Sequence, residues 1–208
     1  MTARISKCCV EIAGIIASGK TTFAGLFESL DATDLVLESF AANPFYAAFY
    51  RDPADAAFEA EISFLLLHAY ALRRSRGPVT VCDFASVLDR AYSRVTLDAA
   101  QRAAFDPVWQ YLTNRRDQPS LLVRLRCPPE VALERIRCRG REAEQSITHQ
   151  YLVSLDAALE TAIEQSGQPH IDIDSYAIDF RLDEQVRRAL LAKVFSLLKS
   201  LATDGAIR

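Results

Sequence analysis

Short apolar runs alternate with longer stretches of helical periodicity along the chain. Each apolar run is brief and rich in aliphatic or β-branched residues, as buried strands are. Strands that alternate with helices predict an α/β fold, with a five-stranded parallel sheet flanked by helices on both faces. The predicted strands are CCVEIA, LVLE, VTVCD, LLVRLRC and HIDID. The predicted helices cover residues 20–30, 53–76, 128–138, the region of 152–159, and 186–201.

The stretch GIIASGKTT, residues 14–22, directly follows the first predicted strand. Its two glycines let the chain turn tightly, so that backbone N–H groups face phosphate oxygens. Lys20 would supply charge to the outer phosphates and Thr21 a hydroxyl to Mg²⁺. Ala17, where many such loops have glycine, removes some backbone freedom. We predict a nucleotide-binding loop, formed by Gly14, Ala17, Ser18, Gly19, Lys20, Thr21 and Thr22.

Phosphate loops of this pattern occur in GTPases, motor ATPases and small-molecule kinases. The chain has 208 residues and lacks an NKxD guanine motif, which favours a kinase. Glu38 ends the second predicted strand, where a carboxylate can accept a proton from an attacking hydroxyl. Asp83 ends the third, which is the usual position of a carboxylate near Mg²⁺, although a helix N-cap is an alternative role.

Composition narrows the set of partners and the compartment. The net charge is −3, so we expect no nucleic-acid partner and no polybasic contact with a membrane. No apolar run approaches the roughly 20 residues needed to cross a bilayer. The five cysteines lack the spacing of a metal site and are expected to be buried, reduced thiols. The segment MTARISKCCVEIAG runs directly into the phosphate loop, so its removal as a signal would destroy that loop, and we expect a cytoplasmic protein with one domain over residues 1–208.

Four longer segments resemble the deoxynucleoside kinase family, and within it the bacterial deoxyadenosine/deoxyguanosine kinase-like subgroup. They are LESFAANPFYAAFYRDPADAAFEAEISFLL, VTVCDFASVLDRAYSRVTL, ERIRCRGREAEQSITHQYL and YAIDF. The resemblance implies a P-loop kinase fold with an Arg-rich lid at about residues 135–147. It also implies ATP and Mg²⁺ as cofactors and a homodimer as the assembly.

The same resemblance implies roles for individual residues. Glu38 matches the general base for the 5′-hydroxyl, Tyr50 and Glu144 match the pair that holds the sugar 3′-hydroxyl, and Asp89 matches an acidic residue that faces the base. The candidate catalytic residues are Glu38, Asp83, Arg139 and Arg141, and the candidate metal ligands are Thr21 and Asp83. The further implied contacts with ATP come from Arg135, Asp179 and Phe180.

Several positions depart from the family pattern in the region of the nucleoside base. Glu61 and His68 stand where the family usually has Gln and Arg, and Phe84 follows Asp83 where Arg is usual, as in the bacterial subgroup. We place Glu61, His68 and Phe84 in the base site, with a histidine on an ordinary helix face as the alternative for His68. Ala60 and Ser93 replace aromatic residues, which predicts a roomier base pocket.

These observations predict a kinase that transfers the γ-phosphate of ATP to the 5′-hydroxyl of a deoxynucleoside, with purine deoxynucleosides as the leading substrates. Two alternatives remain open. A modified nucleoside or another small-molecule alcohol would suit the altered base pocket, and a catalytically weak nucleotide-binding module would suit Ala17.

Overall fold

The computed structural model describes residues 7–31, 33–115, 118 and 120–205. A parallel sheet of five strands lies at its centre, in the order β2-β3-β1-β4-β5. Each apolar run is long enough to form one strand. The helical segment after it returns the chain to the end of the sheet where the strand began, so the next strand is parallel to it. The strands are Cys8–Ala13 (β1), Thr33–Val36 (β2), Val79–Cys82 (β3), Ser120–Arg126 (β4) and His170–Asp174 (β5).

Helices cover both faces of this sheet. Their bounds are Lys20–Ala24 (α1), Tyr46–Arg51 (α2), Pro53–Arg74 (α3), Ser86–Thr96 (α4), Ala99–Thr113 (α5), Pro129–Arg139 (α6), His149–Ser166 (α7) and Glu184–Gly205 (α8). Short 3₁₀ turns lie at Gly25–Phe27, Phe40–Ala42 and Glu142–Ser146. None of the helices in the described part of the chain has the length and hydropathy that spanning a bilayer requires.

The alternation of side chains along β1 divides the core in two. Val10 and Ile12 pack with Phe23 and Phe27 in the cluster that α8 covers. Ala13 belongs to the opposite cluster, in which the side chains of α4, α6 and α7 meet. Both faces of a central parallel strand are therefore buried, which explains why CCVEIA carries only one charged residue. That residue, Glu11, is 1% exposed and accepts a hydrogen bond from the backbone N–H of Ser86.

The α/β architecture with five parallel strands is confirmed, and three local predictions need correction. The predicted strand LVLE lies two residues too far along, because β2 begins at Thr33 and includes Asp34, which the apolar pattern left out. Asp34 is accommodated at this edge strand because Ser75 and the N–H of Arg76 donate to its carboxylate. The helix predicted over 20–30 changes to a 3₁₀ turn at Gly25.

The third correction concerns the cysteines, since Cys138 is exposed whereas the other four are buried. All five are free thiols, as expected for reduced cysteines. The extent of the predicted domain stays a prediction, and its residues 1–6 and 206–208, which include part of the MTARISKCCVEIAG segment, lie outside the described residues.

Candidate functional site

A cleft of about 610 Å³ opens at the carboxyl edge of the sheet. The carboxyl ends of parallel strands are where ligands bind in such folds, because loops from several strands converge there. The lining comes mainly from the phosphate loop after β1, the ends of β2 and β3, the predicted lid and the loop after β5, and Tyr50 on α2 and Tyr92 on α4 also contribute. The predicted site residues among the lining are Ala17, Ser18, Gly19, Lys20, Thr21, Thr22, Glu38, Tyr50, Asp83, Arg135, Arg139, Arg141, Glu144, Asp179 and Phe180.

The loop 14–19 has a backbone that most residues could not adopt. Gly14 has a φ of 152° and Gly19 a φ of 101°. A Cβ on Gly14 would meet the Ser18 side chain and would lie 2.7 Å from the carbonyl oxygen of Leu125. Ala17 has a φ of 62° in the left-handed region, where a Cβ is strained. The loop therefore keeps the shape of a phosphate cradle and carries strain at Ala17.

Lys20 and Thr21 point into this loop as a phosphate site requires. The Lys20 Nζ donates to the carbonyl oxygens of Gly14 at 2.9 Å and Ile15 at 3.2 Å, so the ammonium spans the hollow of the loop. Burial lowers the pKa of the Lys20 ammonium, and the negative charges of Glu38 and Asp83 work against that shift. The buried Ser18 Oγ has no hydrogen-bond partner among the described residues, which leaves a polar atom free for a ligand.

The predicted Mg²⁺ ligands lie in direct contact. The Thr21 hydroxyl donates to Asp83 Oδ2 at 2.5 Å. The described residues include no group of three or more His, Cys, Asp or Glu side chains arranged for a metal. One hydroxyl and one carboxylate fit Mg²⁺ only when a nucleotide supplies phosphate oxygens, which is how Mg²⁺ is commonly held. These residues fit a metal that arrives with the nucleotide.

A narrow second cavity of about 50 Å³ adjoins the cleft beneath α3 and α4. Glu38, Lys20 and Asp83 line both cavities, so the carboxylate of Glu38 lies where they meet. The narrow cavity also brings together the predicted base-site residues Glu61, His68, Phe84 and Asp89. We use "acceptor cavity" for this space.

His68 occupies the centre of the acceptor cavity's polar wall. Its Nε2 lies 2.9 Å from Glu38 Oε1, and its Nδ1 lies 2.9 Å from Asp89 Oδ1. The imidazole also stacks on Phe84, with ring centroids 4.0 Å apart and an interplanar angle of 6°. Burial lowers the pKa of His68, but the charges and hydrogen bonds of Asp89 and Glu38 more than offset this and raise it to about 10. His68 is therefore a buried, hydrogen-bonded residue of the acceptor cavity, and its role in the base site stays a prediction.

The surroundings of Glu61 favour its protonated form. Glu61 is 7% exposed, and the Thr96 hydroxyl bonds to its Oε1 at 3.0 Å. Burial raises the pKa of Glu61 to about 8, and the charges of Asp89 and Glu38 contribute to the rise. A neutral carboxyl both donates and accepts hydrogen bonds. Beside it, the buried Asp89 Oδ2 accepts no hydrogen bond from the described residues.

Tyr50 and Glu144 are the predicted sugar-site pair, and their contact with a sugar hydroxyl stays a prediction. Glu144 receives a hydrogen bond from the Tyr46 hydroxyl at 3.2 Å. Tyr50, which was predicted to share this role, lines both cavities and packs edge-on against Tyr46. Burial and the nearby Glu144 raise the pKa of Tyr46 to about 12, so its hydroxyl stays protonated and donates. Tyr46 lies one helical turn before Tyr50 on α2, and this spacing places both rings on the side of the helix that faces Glu144.

The lid arginines divide into two groups. Arg139 and Arg141 both form ion pairs with Glu144, whose side chain is 2% exposed. Arg135 instead donates to the carbonyl oxygens of Ala17 at 3.3 Å and Ser175 at 3.1 Å. Arg135 thus joins the phosphate loop to the loop after β5.

Asp179 and Phe180 reach the cleft, but their side chains also have structural contacts. Asp179 Oδ1 accepts hydrogen bonds from the N–H groups of Arg181 and Leu182, both at 3.0 Å. The Phe180 ring packs edge-on against Phe23 with centroids 5.4 Å apart, beneath the phosphate loop. Their predicted contacts with adenine stay a prediction.

The expected roomier base pocket is not seen. Ala60 lines a cavity of only about 50 Å³, because rings such as Phe64 and Tyr92 fill the space around it. Ser93 is fully buried away from the cavity, and its hydroxyl donates to the carbonyl oxygen of Arg90. At Ala60, the small side chain is accompanied by aromatic rings that line the same cavity.

Comparisons with known proteins point to the same family that the sequence motifs resemble. The family model of deoxynucleoside kinases matches residues 9–199. The chain is similar to the deoxyguanosine kinase of Bacillus subtilis, with 25% identity over 201 residues that cover 91% of this chain and 97% of the relative. It is 29% identical to the deoxyadenosine kinase of Dictyostelium discoideum over 157 residues, covering 70% of this chain and 62% of the relative. The solved structure of deoxyadenosine kinase from M. mycoides with bound dCTP has a TM-score of 0.75 and 20% identity, covering 90% of this chain and 98% of that one.

The strain at Ala17 predicts that Ala17→Gly stabilises the protein. Relief of the left-handed strain outweighs the greater freedom of glycine in the unfolded chain, so we expect the free energy of unfolding to rise by roughly 0.5–1 kcal/mol. Urea denaturation measures this change. Ala47→Gly, at an exposed position within α2, is the matched control and should destabilise by about 1 kcal/mol. A loss of stability in both variants would contradict the prediction.

Burial of Glu61 predicts a pH-dependent stability. In the folded protein the pKa of Glu61 is about 8, whereas in the unfolded chain a glutamate has its ordinary pKa of 4.5. Between these two pH values the folded protein holds the proton and the unfolded chain has released it. The stability from this proton is fully present below pH 4.5 and is lost as the pH rises through about 8. Glu61→Gln removes the titration, so its Tm relative to wild type should be higher at pH 8.5 than at pH 5.5. Exposed Glu59→Gln on the same helix should show no such trend, and a constant difference for Glu61→Gln would refute the argument.

Proposed function

Because the chain belongs to the deoxynucleoside kinase family, we propose that it transfers the γ-phosphate of ATP to the 5′-hydroxyl of a purine deoxynucleoside, with Mg²⁺. One observation carries the proposal: the carboxylate of Glu38 lies at the junction of the phosphate cleft and the acceptor cavity. A group in that position can take a proton from an acceptor hydroxyl and still face the terminal phosphate of a nucleotide in the loop.

The residues of the cleft supply the rest of the reaction. As the 5′-hydroxyl oxygen forms its bond to the γ-phosphorus, its proton passes to Glu38 and the bond between the γ-phosphorus and the bridging oxygen of ADP breaks. Charge neutralisation dominates such transfers. Lys20 on the loop, with Arg139 and Arg141 from the lid, supplies positive charge around the phosphates. Mg²⁺ would be held by Thr21, Asp83 and the nucleotide, and it would neutralise charge on the outer phosphates.

The polar groups of the acceptor cavity suit a nucleobase. Asp89 Oδ2 is a buried acceptor that needs an N–H donor, and neutral Glu61 offers both a donor and an acceptor. This set suits the edge of a nucleobase that carries an N–H donor next to a ring-nitrogen acceptor, as adenine, guanine and cytosine do, so the preference for a purine rests on the relatives. The names of the deoxyguanosine and deoxyadenosine kinases similar to this chain provide that support.

We also propose the family's homodimer as the assembly and the cytoplasm as the compartment. The described part of α3 carries Leu66 and Tyr70 at 50% and 54% exposure, a surface that suits helix pairing between two copies. The expected absence of a nucleic-acid partner stays a prediction.

A screen of ATP consumption across the natural nucleosides and deoxynucleosides tests the function. We expect turnover with deoxyadenosine or deoxyguanosine to exceed that with pyrimidine deoxynucleosides and ribonucleosides. A product with phosphate on the 5′-oxygen, identified by ³¹P NMR, is required as well. ATP consumption limited to a non-nucleoside alcohol would contradict the proposal, and so would consumption that does not depend on any acceptor.

The role of Glu38 is tested with Glu38→Gln, which keeps the shape but loses proton acceptance. Turnover should fall on the order of 10²-fold or more, because general base catalysis contributes about that much. ATP affinity, measured by calorimetry, should stay within twofold. Glu28→Gln, an exposed glutamate outside the cleft, is the matched control and should leave turnover unchanged. Unaltered turnover in Glu38→Gln would remove Glu38 from the mechanism.

A further inference from the structure

The imidazole of His68 joins two carboxylates that belong to different parts of the acceptor cavity. Glu38 lies beyond the end of β2, Asp89 lies on α4, and His68 comes from α3. Each ring nitrogen is 2.9 Å from one carboxylate oxygen. Both nitrogens donate when the ring is an imidazolium, and the charges and hydrogen bonds of Asp89 and Glu38 favour that form by raising the pKa of His68 to about 10. One cation therefore compensates two buried or half-buried anions.

The surroundings hold this ring in one orientation. His68 is 5% exposed and stacks on Phe84, while Phe64 lies with its centroid 5.9 Å away on the same helix. The ionisable groups that bear on it are Glu38, Asp89 and the neutral Glu61. Because the packed ring has little freedom to rotate, a movement of one carboxylate shifts the ring and, through it, the other carboxylate.

One oxygen of each carboxylate is hydrogen-bonded to His68, and the other oxygen is not. Glu38 Oε1 accepts from His68 Nε2, so Oε2 is the oxygen left for the acceptor hydroxyl. Asp89 uses Oδ1, and its Oδ2 is buried without a partner among the described residues. The two remaining oxygens are those that the proposed function assigns to the sugar end and the base end of one nucleoside.

We propose that His68 is a positioning residue that couples base recognition to proton transfer, by holding Glu38 and Asp89 in one fixed relation. The coupling rests on the proposed function. A change at Asp89, at the base end, then alters the turnover number as well as the affinity for the acceptor. Without the imidazolium, the two ends act independently.

Steady-state kinetics on the preferred deoxynucleoside test the single substitution. His68→Phe keeps a ring of similar shape but has no donor, and it should lower kcat by about tenfold or more while raising the acceptor KM. The ATP KM should stay within twofold, since His68 does not line the phosphate cleft. His68→Arg restores charge and donors, and should recover part of kcat. His149→Phe, at an exposed histidine 3.8 Å from Glu130, is the matched control and should change none of these constants.

Double substitutions separate coupling from a structural effect. Asp89→Asn should lower kcat in the wild-type background and leave kcat unchanged when His68→Phe is already present. His68→Phe should add little to the kcat loss of Glu38→Gln, because both act on one proton transfer. Losses in kcat that multiply independently in both pairs would overturn the proposal, as would an unchanged kcat in His68→Phe. If that variant does not fold, His68→Gln, which keeps one donating group, takes its place.

The bridge itself is measured without turnover. In protein labelled with ¹⁵N at histidine, His68 should show both ring nitrogens protonated at pH 8, with its signals assigned by their loss in the substituted protein. A neutral His68 at that pH overturns the coupling. If the wild type phosphorylates no nucleoside while both nitrogens are protonated, the proposed function fails, and calorimetry decides the coupling. Nucleoside affinities of Asp89→Asn and Glu38→Gln must then be non-additive in the wild-type background and additive with His68→Phe.

Discussion

The carboxylate of Asp83 connects the two halves of this site, and the positions of the reacting groups depend on it. One oxygen accepts from the Thr21 hydroxyl on the phosphate loop, and the other accepts from the backbone N–H of Glu38 at 2.7 Å. Hydrogen bonds to an ionised carboxylate are shorter and stronger than neutral ones. Because Asp83 directly follows β3, the end of this strand sets the distance between the phosphate loop and Glu38.

Charge is distributed unequally across that connection. Lys20, Glu38 and Asp83 line both cavities, but the lid arginines line only the phosphate cleft, whereas Glu61, Asp89 and His68 line only the acceptor cavity. Buried carboxylates that lie close together destabilise one another's charged forms unless one of them is protonated or a cation lies between them. Both effects operate in this cavity. The His68 imidazole lies between Glu38 and Asp89, and burial favours the protonated form of Glu61. The acceptor cavity is thus polar without an uncompensated cluster of anions.

The sequence was informative wherever a short segment decides its own structure. The loop 14–19 could be predicted because its glycines and Lys20 are needed within one turn, and the strands because each is a single buried run. The start of β2 was missed because Asp34 is stabilised by Ser75 from the distant end of α3, a contact that no local pattern contains. His68 was ambiguous for the same reason, since its two carboxylate partners come from other segments of the chain. The departure from the family pattern at His68 directed attention to this position, while the contacts of its side chain could be seen only in the fold.

The lid adds a second connection between the nucleotide and the acceptor. Arg139 and Arg141 pair with Glu144, and Glu144 also accepts from Tyr46 on α2. A phosphate entering the cleft must compete with this carboxylate for the same guanidinium groups, since each arginine has a limited set of donors. Any arginine that turns to the phosphate leaves Glu144 with less compensation and freer to accept from a sugar hydroxyl. The proposed roles of the lid at the phosphates and at the sugar are consequently linked through one buried carboxylate, which favours closure when both substrates are present.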